Sequence, residues 1–341
     1  MRVLVTGGAG FIGSNFIRHF LNVRPDAQVT NLDSLTYAGN PESLADIVSN
    51  PRYAFVRGDI ADASVLQRVF TKQFDAVINF AAETHVDRSI EDASPFLRTN
   101  ILGTHCLLEA ARRFRLPRFI QISTDEVFGS APDGVSFTEE SRLDPRSPYA
   151  ASKAAAEHLV SAYANTYGVQ AVILRCTNNY GPCQFPEKLI PLIIANAQED
   201  KPLPVYGNGM HQRDWLYVED YCRAISMALE KAEPGTVYNV SAGMPQSNLE
   251  VVRSVLAQLG KPDSLITFVS DRPGHDRRYA VDSSKIRSEL GWQPQITFQD
   301  GLRRTIAWYN TNRSWLEHAR SGEYLKYYER HYIRREETFN R

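Results

Sequence analysis

The chain has 341 residues, 43% hydrophobic and 23% charged, with 20 Gly and 18 Pro. This excludes disordered, collagen-like and low-complexity classes and leaves room for about two domains. With 38 Lys and Arg against 39 Asp and Glu the formal net charge is -1 and no long block of one sign occurs, so neither nucleic acid nor an anionic membrane is expected as a main partner. Four cysteines, Cys106, Cys176, Cys183 and Cys222, stand among apolar neighbours with no C-x-x-C spacing. They read as buried reduced thiols of a cytosolic protein, with no metal centre expected.

The first apolar run, residues 1–6, breaks at Gly7 and Gly8, too soon for a signal-peptide core or a membrane span. The later run 189–197 is also too short to cross a bilayer, and a cytoplasmic protein is expected. Short β-rich runs at 2–6, 29–32, 53–57, 76–80, 119–123 and 171–175 alternate with helical patterns at 12–21, 65–70, 99–114 and 149–167. Strands that are apolar on both faces and separated by helices predict a parallel sheet with helices on each side. Beyond about Asn178 the prolines Pro182, Pro186, Pro191, Pro202 and Pro204 interrupt this rhythm, leaving helical patterns at 217–231 and 249–259. The expected fold class is α/β: a Rossmann-type doubly wound parallel sheet over residues 1–178, with a smaller mixed C-terminal substrate domain over 179–341. Parts of 213–240 are expected to pack back on the first domain. No internal repeat and no linker rich in Gly or Ser occurs, so the two parts should pack closely.

Residues 3–13 read as strand, glycine turn and helix start, with Gly7, Gly10 and Gly13 spaced G-x-x-G-x-x-G. Glycine there lets the backbone turn tightly and approach a pyrophosphate, whose charge is met by the N–H groups and dipole of the following helix. Asp33 ends the second strand about 20 residues on, as the dinucleotide pattern requires. Its carboxylate suits ribose hydroxyls and would repel a 2′-phosphate, which favours NAD over NADP. Asp59 ends the third strand, where it could meet the adenine amino group.

Tyr149 and Lys153 form Y-x-x-x-K at the start of a predicted helix, and the i, i+4 spacing puts both on one face. The lysine ammonium is expected to lower the phenol toward working pH, so that the tyrosine can take a proton from a sugar hydroxyl while a hydride leaves for nicotinamide. The run 119–124 ends in Ser123 and Thr124 and is followed at once by Asp125 and Glu126. Ligands of open α/β sheets bind at the carboxyl ends of strands, so Thr124 is placed to orient a hydroxyl near Tyr149. A simple dehydrogenase has no need of an adjacent carboxylate pair. Two carboxyls in one cleft cannot both ionise freely, so one can stay protonated as an acid while the other acts as a base.

These segments, together with 33–39, 79–89, 178–182, 185–189, 213–220 and 271–279, closely resemble the nucleotide-sugar 4,6-dehydratases of the extended short-chain dehydrogenase/reductase superfamily, especially the branch acting on dTDP-glucose. The T-D-E triplet 124–126 and the D-R-P-G-H-D-R-R-Y segment 271–279 are the specific parts. Thr84, where Ser is frequent, and Phe128, where Tyr is frequent, are conservative departures. By this resemblance Tyr149 deprotonates the C4 hydroxyl, NAD takes the C4 hydride, Glu126 removes the C5 proton, Asp125 protonates the departing C6 hydroxyl, and hydride returns to C6. The resemblance adds Phe11, Ile12, Leu35, Thr36, Ile60, Ala81, Ala82, Thr99 and Asn179 to the cofactor site, with Tyr149 and Lys153 shared. It places Thr84, Thr124, Asn178, Lys188, Leu189, Pro204, Val205, Tyr206, Arg213, Asn248, Asp271, Arg272, Pro273, Gly274 and His275 on the sugar nucleotide. Lys188, Arg213 and Arg272 are the right chemical types for its diphosphate, while Leu189 and Val205 also suit a core.

A 4-epimerase or uronate decarboxylase of the same superfamily would share the glycine loop and Y-x-x-x-K, but needs no acid and base at C5 and C6. A non-catalytic NAD-sensing protein on this fold would have lost Tyr149, Lys153 or an acid. UDP-glucose is the alternative substrate, and GDP-mannose is disfavoured by a poorer resemblance over the C-terminal part. The apolar faces of the helices around 96–114 and 149–167 permit a homodimer.

Overall fold

A computed structural model describes residues 1–333. Seven strands, β1 (Arg2–Thr6), β2 (Gln28–Asp33), β3 (Tyr53–Arg57), β4 (Ala76–Asn79), β5 (Phe119–Thr124), β6 (Ala171–Cys176) and β10 (Val237–Val240), form one parallel sheet in the order β10-β6-β5-β4-β1-β2-β3. The order reverses between β1 and β4, which opens a crevice beyond the carboxyl ends of the strands. Three short strands, β7 (Asn178–Tyr180), β9 (Gln212–Tyr217) and β11 (Pro245–Ser247), make a second sheet, and β8 (Leu203–Tyr206) pairs with β12 (Ile266–Val269).

Helices cover both faces of the large sheet because its strands are apolar on both sides. On one face α1 (Phe11–Val23) and α8 (Val218–Lys231) bury Phe16, Phe20, Tyr221 and Ile225 against Val3, Ile78 and Val172. On the other, α2 (Ala63–Phe70), α5 (Thr104–Arg113) and α6 (Pro148–Tyr167) bury Leu66, Phe70, Leu107, Leu108 and Val160 against Leu4, Val77 and Phe119. A separate core joins α7 (Leu189–Gln198), α9 (Asn248–Leu259) and α11 (Phe298–Thr311) around Ile193, Val252 and Tyr309. The short helices α3 (Val86–Glu91), α4 (Ser94–Phe96), α10 (Ser284–Leu290), α12 (Arg313–Ala319) and α13 (Glu323–Tyr328) complete the set.

Most predicted elements stand within two residues of their expected ends. One differs in kind: the single helix expected over 99–114 is π-helical at Leu97–Gly103 before it becomes α5. Gly103 sits there because a Cβ would lie 2.6 Å from the Ile60 side chain, and that close approach lets the segment press against the end of β3. Cys106 is only partly buried, against the expectation for all four thiols, while Cys176, Cys183 and Cys222 are buried. No helix among the described residues is long and apolar enough to cross a membrane.

Candidate active site

The glycine turn between β1 and α1 leaves no room for side chains. Gly7 has φ of 69°, and a Cβ on it would stand 2.6 Å from Ala81 N; a Cβ on Gly13 would stand 2.4 Å from Gly7 O. The N-cap of α1 is Gly10, which offers no side-chain cap, so the first-turn N–H groups remain for an anion. Asp33 closes the other wall: its Oδ2 accepts from Ala9 N and its Oδ1 from Leu35 N, each at 2.8 Å. Burial pushes this carboxyl up, and the two backbone donors pull it back. Leu35 takes φ of 55° and so contributes through its main chain. Asp59 accepts from Ala61 N and pairs with Arg98, both at 2.8 Å.

One continuous cleft is lined by the expected Gly7, Gly10, Phe11, Ile12, Gly13, Asp33, Thr36, Asp59, Ile60, Ala81, Ala82, Thr84, Thr99, Thr124, Asp125, Glu126, Tyr149, Lys153, Asn178, Asn179 and Lys188. The buried Oδ1 of Asn179 has no protein partner among the described residues, as expected of a group that meets a ligand. This half of the cleft fits a dinucleotide: a donor-lined glycine turn for the pyrophosphate and an acid for the ribose.

The reacting groups lie where β5 ends. Thr124 caps the 3-10 turn Asp125–Phe128, accepting from Glu126 N at 3.2 Å. The turn carries both carboxyls past the strand end toward α6, whose first turn supplies Tyr149. Lys153, one turn on, donates to Ile122 O at 2.7 Å. Burial pushes the Lys153 ammonium down to about 8, so it remains charged near neutrality. The Tyr149 phenol is pushed up, by burial first and then by the Glu126 charge, with Thr124 opposing. The sequence-based expectation of a phenol lowered by Lys153 therefore fails in the open cleft, because the lysine holds a backbone carbonyl while the phenol is desolvated beside a carboxylate.

The two carboxyls differ. Asp125 is pushed well above the usual carboxylate range by burial, Glu126 and Asp214, with Arg213 opposing, and its Oδ2 has no protein partner among the described residues. Glu126 is raised by burial but drawn back by Arg272, Arg213 and Lys188.

Lys188 Nζ donates to Thr84 O at 3.0 Å. Arg213 is buried, donates to Gln212 O at 2.7 Å and Asp276 O at 2.8 Å, and lies 4.1 Å over the Tyr279 ring. Asn248 begins α9 and its N–H donates to His211 O at 2.9 Å. Pro204, Val205 and Tyr206 lie on β8. Val205 and Leu189 pack in or against the second core, so Val205, fully buried there, has no side chain to offer a ligand. In the loop after β12, His275 Nδ1 meets Asp271 Oδ1 at 2.6 Å, and Pro273 and Gly274 make the turn, with Gly274 at φ of 65°.

Sequence reasoning missed Asp87, Glu187, His211 and Tyr279. Tyr279 Oη lies 3.0 Å from Asp276 Oδ2 and 3.4 Å from Glu126 Oε2. Tyr37 donates to Glu187 at 2.8 Å, joining the cofactor loop to the segment that carries Lys188. His211, Asp271 and His275 bring three metal-ligand types together. Their imidazoles are stacked, 3.8 Å apart and 13° from parallel, so the in-plane lone pairs do not converge on one ion.

Residues 4–305 match the family model of GDP-mannose 4,6 dehydratase. The chain is 49% identical to a dTDP-glucose 4,6-dehydratase of Shigella flexneri, covering 97% of this chain and 99% of that one. It is 51% identical to one of Neisseria meningitidis serogroup B, covering 95% and 97%. The crystal structure of a dTDP-glucose 4,6-dehydratase of Streptomyces venezuelae with NAD bound superposes with a TM-score of 0.91 at 49% identity, covering 94% of this chain and 100% of that one. Such identity over nearly the whole length, on a sheet and cleft of the same build, means that this chain belongs to the dTDP-glucose 4,6-dehydratase family, NAD-dependent hydro-lyases on the extended short-chain dehydrogenase/reductase fold.

Proposed function

We propose that this chain converts dTDP-glucose to dTDP-4-keto-6-deoxyglucose and water, and that the unequal carboxyls of Asp125 and Glu126 carry the reading. Tyr149 takes the C4 hydroxyl proton. The hydrogen bond of Thr124 favours the phenolate against the burial that opposes it. NAD, when bound, supplies the acceptor of the C4 hydride and later its donor to C6, and ends unchanged.

A ketone at C4 acidifies the C5 proton. Glu126, whose negative form is favoured by three nearby cations, removes it, and Asp125, whose neutral form is favoured, gives its proton to the C6 oxygen. The C5 electron pair forms the C5–C6 double bond as the C6–O bond breaks, and water leaves; when hydride returns to C6 that pair goes back to C5, which takes a proton from the now protonated Glu126. Each transfer is worth about 10²-fold or more. A 4-epimerase has no use for this pair.

Residues 1–178 then form the cofactor domain and 179–341 the substrate domain, although β10 and α8 return to the large sheet; residues 334–341 lie outside those described. Lys188, Arg213 and Arg272 meet the diphosphate. Unpaired cysteines support a cytoplasmic site of action. Exposed Leu97 and Leu102 on the turn before α5, and Tyr167 at the end of α6, support a homodimer through that layer.

Purified protein without added cofactor, incubated separately with dTDP-glucose and UDP-glucose, is to be tested by mass spectrometry of the products. Loss of one water from dTDP-glucose supports the reading. Unchanged mass with altered stereochemistry would replace it by an epimerase, and loss from UDP-glucose alone would overturn the nucleotide.

A further inference from the structure

Asp87 is a carboxylate with no solvent exposure, on the short helix α3, outside the cleft-lining residues. A buried carboxylate is retained only where charge and hydrogen bonds satisfy it. Here three distant parts of the chain do so. Arg272, in the loop after β12, donates from Nη1 to Oδ1 at 2.8 Å. Tyr206, at the end of β8, donates to Oδ2 at 2.9 Å, and the Tyr327 hydroxyl of α13 lies 3.5 Å from the same oxygen. Burial pushes the carboxyl up, yet the Arg272 charge and the hydrogen bonds from Arg272 and Tyr206 hold it well below the usual range, so it stays ionised.

The guanidinium so held is incompletely used. Arg272 Nε is buried and has no protein partner among the described residues, which leaves a donor for an anion in the substrate half of the site. Arg272 also acts on Glu126, favouring its charged form. An Arg272 freed from Asp87 would keep its charge but lose the fixed orientation that turns its free N–H groups toward a diphosphate.

We propose that Asp87 is a positioning residue for the substrate diphosphate: it fixes one edge of the Arg272 guanidinium, with Tyr206 and Tyr327 steadying the carboxylate, so that the remaining N–H groups face the phosphates. The inference rests on the reading above that Arg272 meets the diphosphate. It implies that Asp87 governs the affinity for the diphosphate and leaves the nucleoside and the chemistry at C4 to C6 alone.

The test uses the NAD-loaded enzyme with Asp87→Asn, measuring binding of dTDP and of thymidine by calorimetry, and kcat and KM with dTDP-glucose. The expected result is a loss of about tenfold or more in dTDP affinity, unchanged thymidine affinity, and a KM raised by the same factor with kcat within about threefold. Equal losses for dTDP and thymidine, no loss for either, or a fall in kcat at constant KM would overturn the proposal. Should Asp87→Asn fail to fold, Tyr327→Phe removes only a hydroxyl near the carboxylate. A severalfold loss confined to dTDP is expected from it, and an unchanged dTDP affinity would overturn the proposal. UDP and uridine run in parallel separate the two claims: a preference for UDP contradicts the nucleotide assignment, while the Asp87 inference is decided by whether the loss follows the diphosphate.

Discussion

Asp125 and Glu126 are neighbours in sequence, yet their side chains meet different charges, and that difference sets the expected pH profile. Glu126 must be ionised, so activity should rise with pH through its raised pKa; Asp125 must be protonated, so activity should fall as pH climbs through its own. Asp125→Asn should lower kcat about 10²-fold and remove the alkaline limb assigned to Asp125, measured as the pH dependence of water loss. His85 gives a second titration. Burial pushes it down to about 4 from an ordinary 6.5, so the unfolded chain binds the proton first as pH falls. Stability is then full above pH 6.5 and should decline by about 3 kcal/mol as pH drops to about 4, checked by urea unfolding across that range. At this scale the sequence was most legible where the chemistry sits in one contiguous stretch: the glycine turn, Asp33, the T-D-E triplet and Y-x-x-x-K. Asp87 and Arg272 are 185 residues apart and Glu126 meets Tyr279 across 153, so no spacing could announce either pair.

The elements that carry these groups are held by polar contacts between them. Arg175 of β6 is bound by Glu157 of α6, with Nη2 to Oε2 at 2.7 Å and Nε within 3.1 Å of both oxygens, and both side chains are buried. Glu157→Ala leaves the guanidinium buried and unpaired, and should destabilise the fold by about 3 kcal/mol in chemical denaturation. The start of α9 is fixed by a capping box between Ser247 and Glu250, and Ser247→Ala should cost about 1 kcal/mol by the same measurement. Periodicity located these helices to within a residue or two, because their buried faces repeat at helical spacing. It could not reveal the π-helical turn of Leu97–Gly103, which winds one residue wider while keeping an apolar pattern, and whose Gly103 packs closely on Ile60.

At the scale of the molecule, the large sheet supplies the cofactor half of the cleft and the loops of the second half close the substrate side. The parallel sheet was legible from its doubly apolar strands. Its last strand was not, since β10 follows β6 only after 60 residues that build other structure, and joins the edge because Tyr238 and Val240 complete the core beneath α8. The homodimer is tested by light scattering, with a mass twice that of the chain expected and a shift toward monomer for a Leu97→Asp and Leu102→Asp double variant.

The central claim, that a carboxylate pair turns an oxidised sugar into a dehydrated one, is tested most directly by rapid mixing of the Glu126→Gln holoenzyme with dTDP-glucose. The expected result is reduced nicotinamide accumulating in the enzyme while the sugar keeps its water, with dehydration slowed about 10²-fold or more. Dehydration at the normal rate, or failure of C4 oxidation itself, would contradict the assignment of Glu126 as the base at C5.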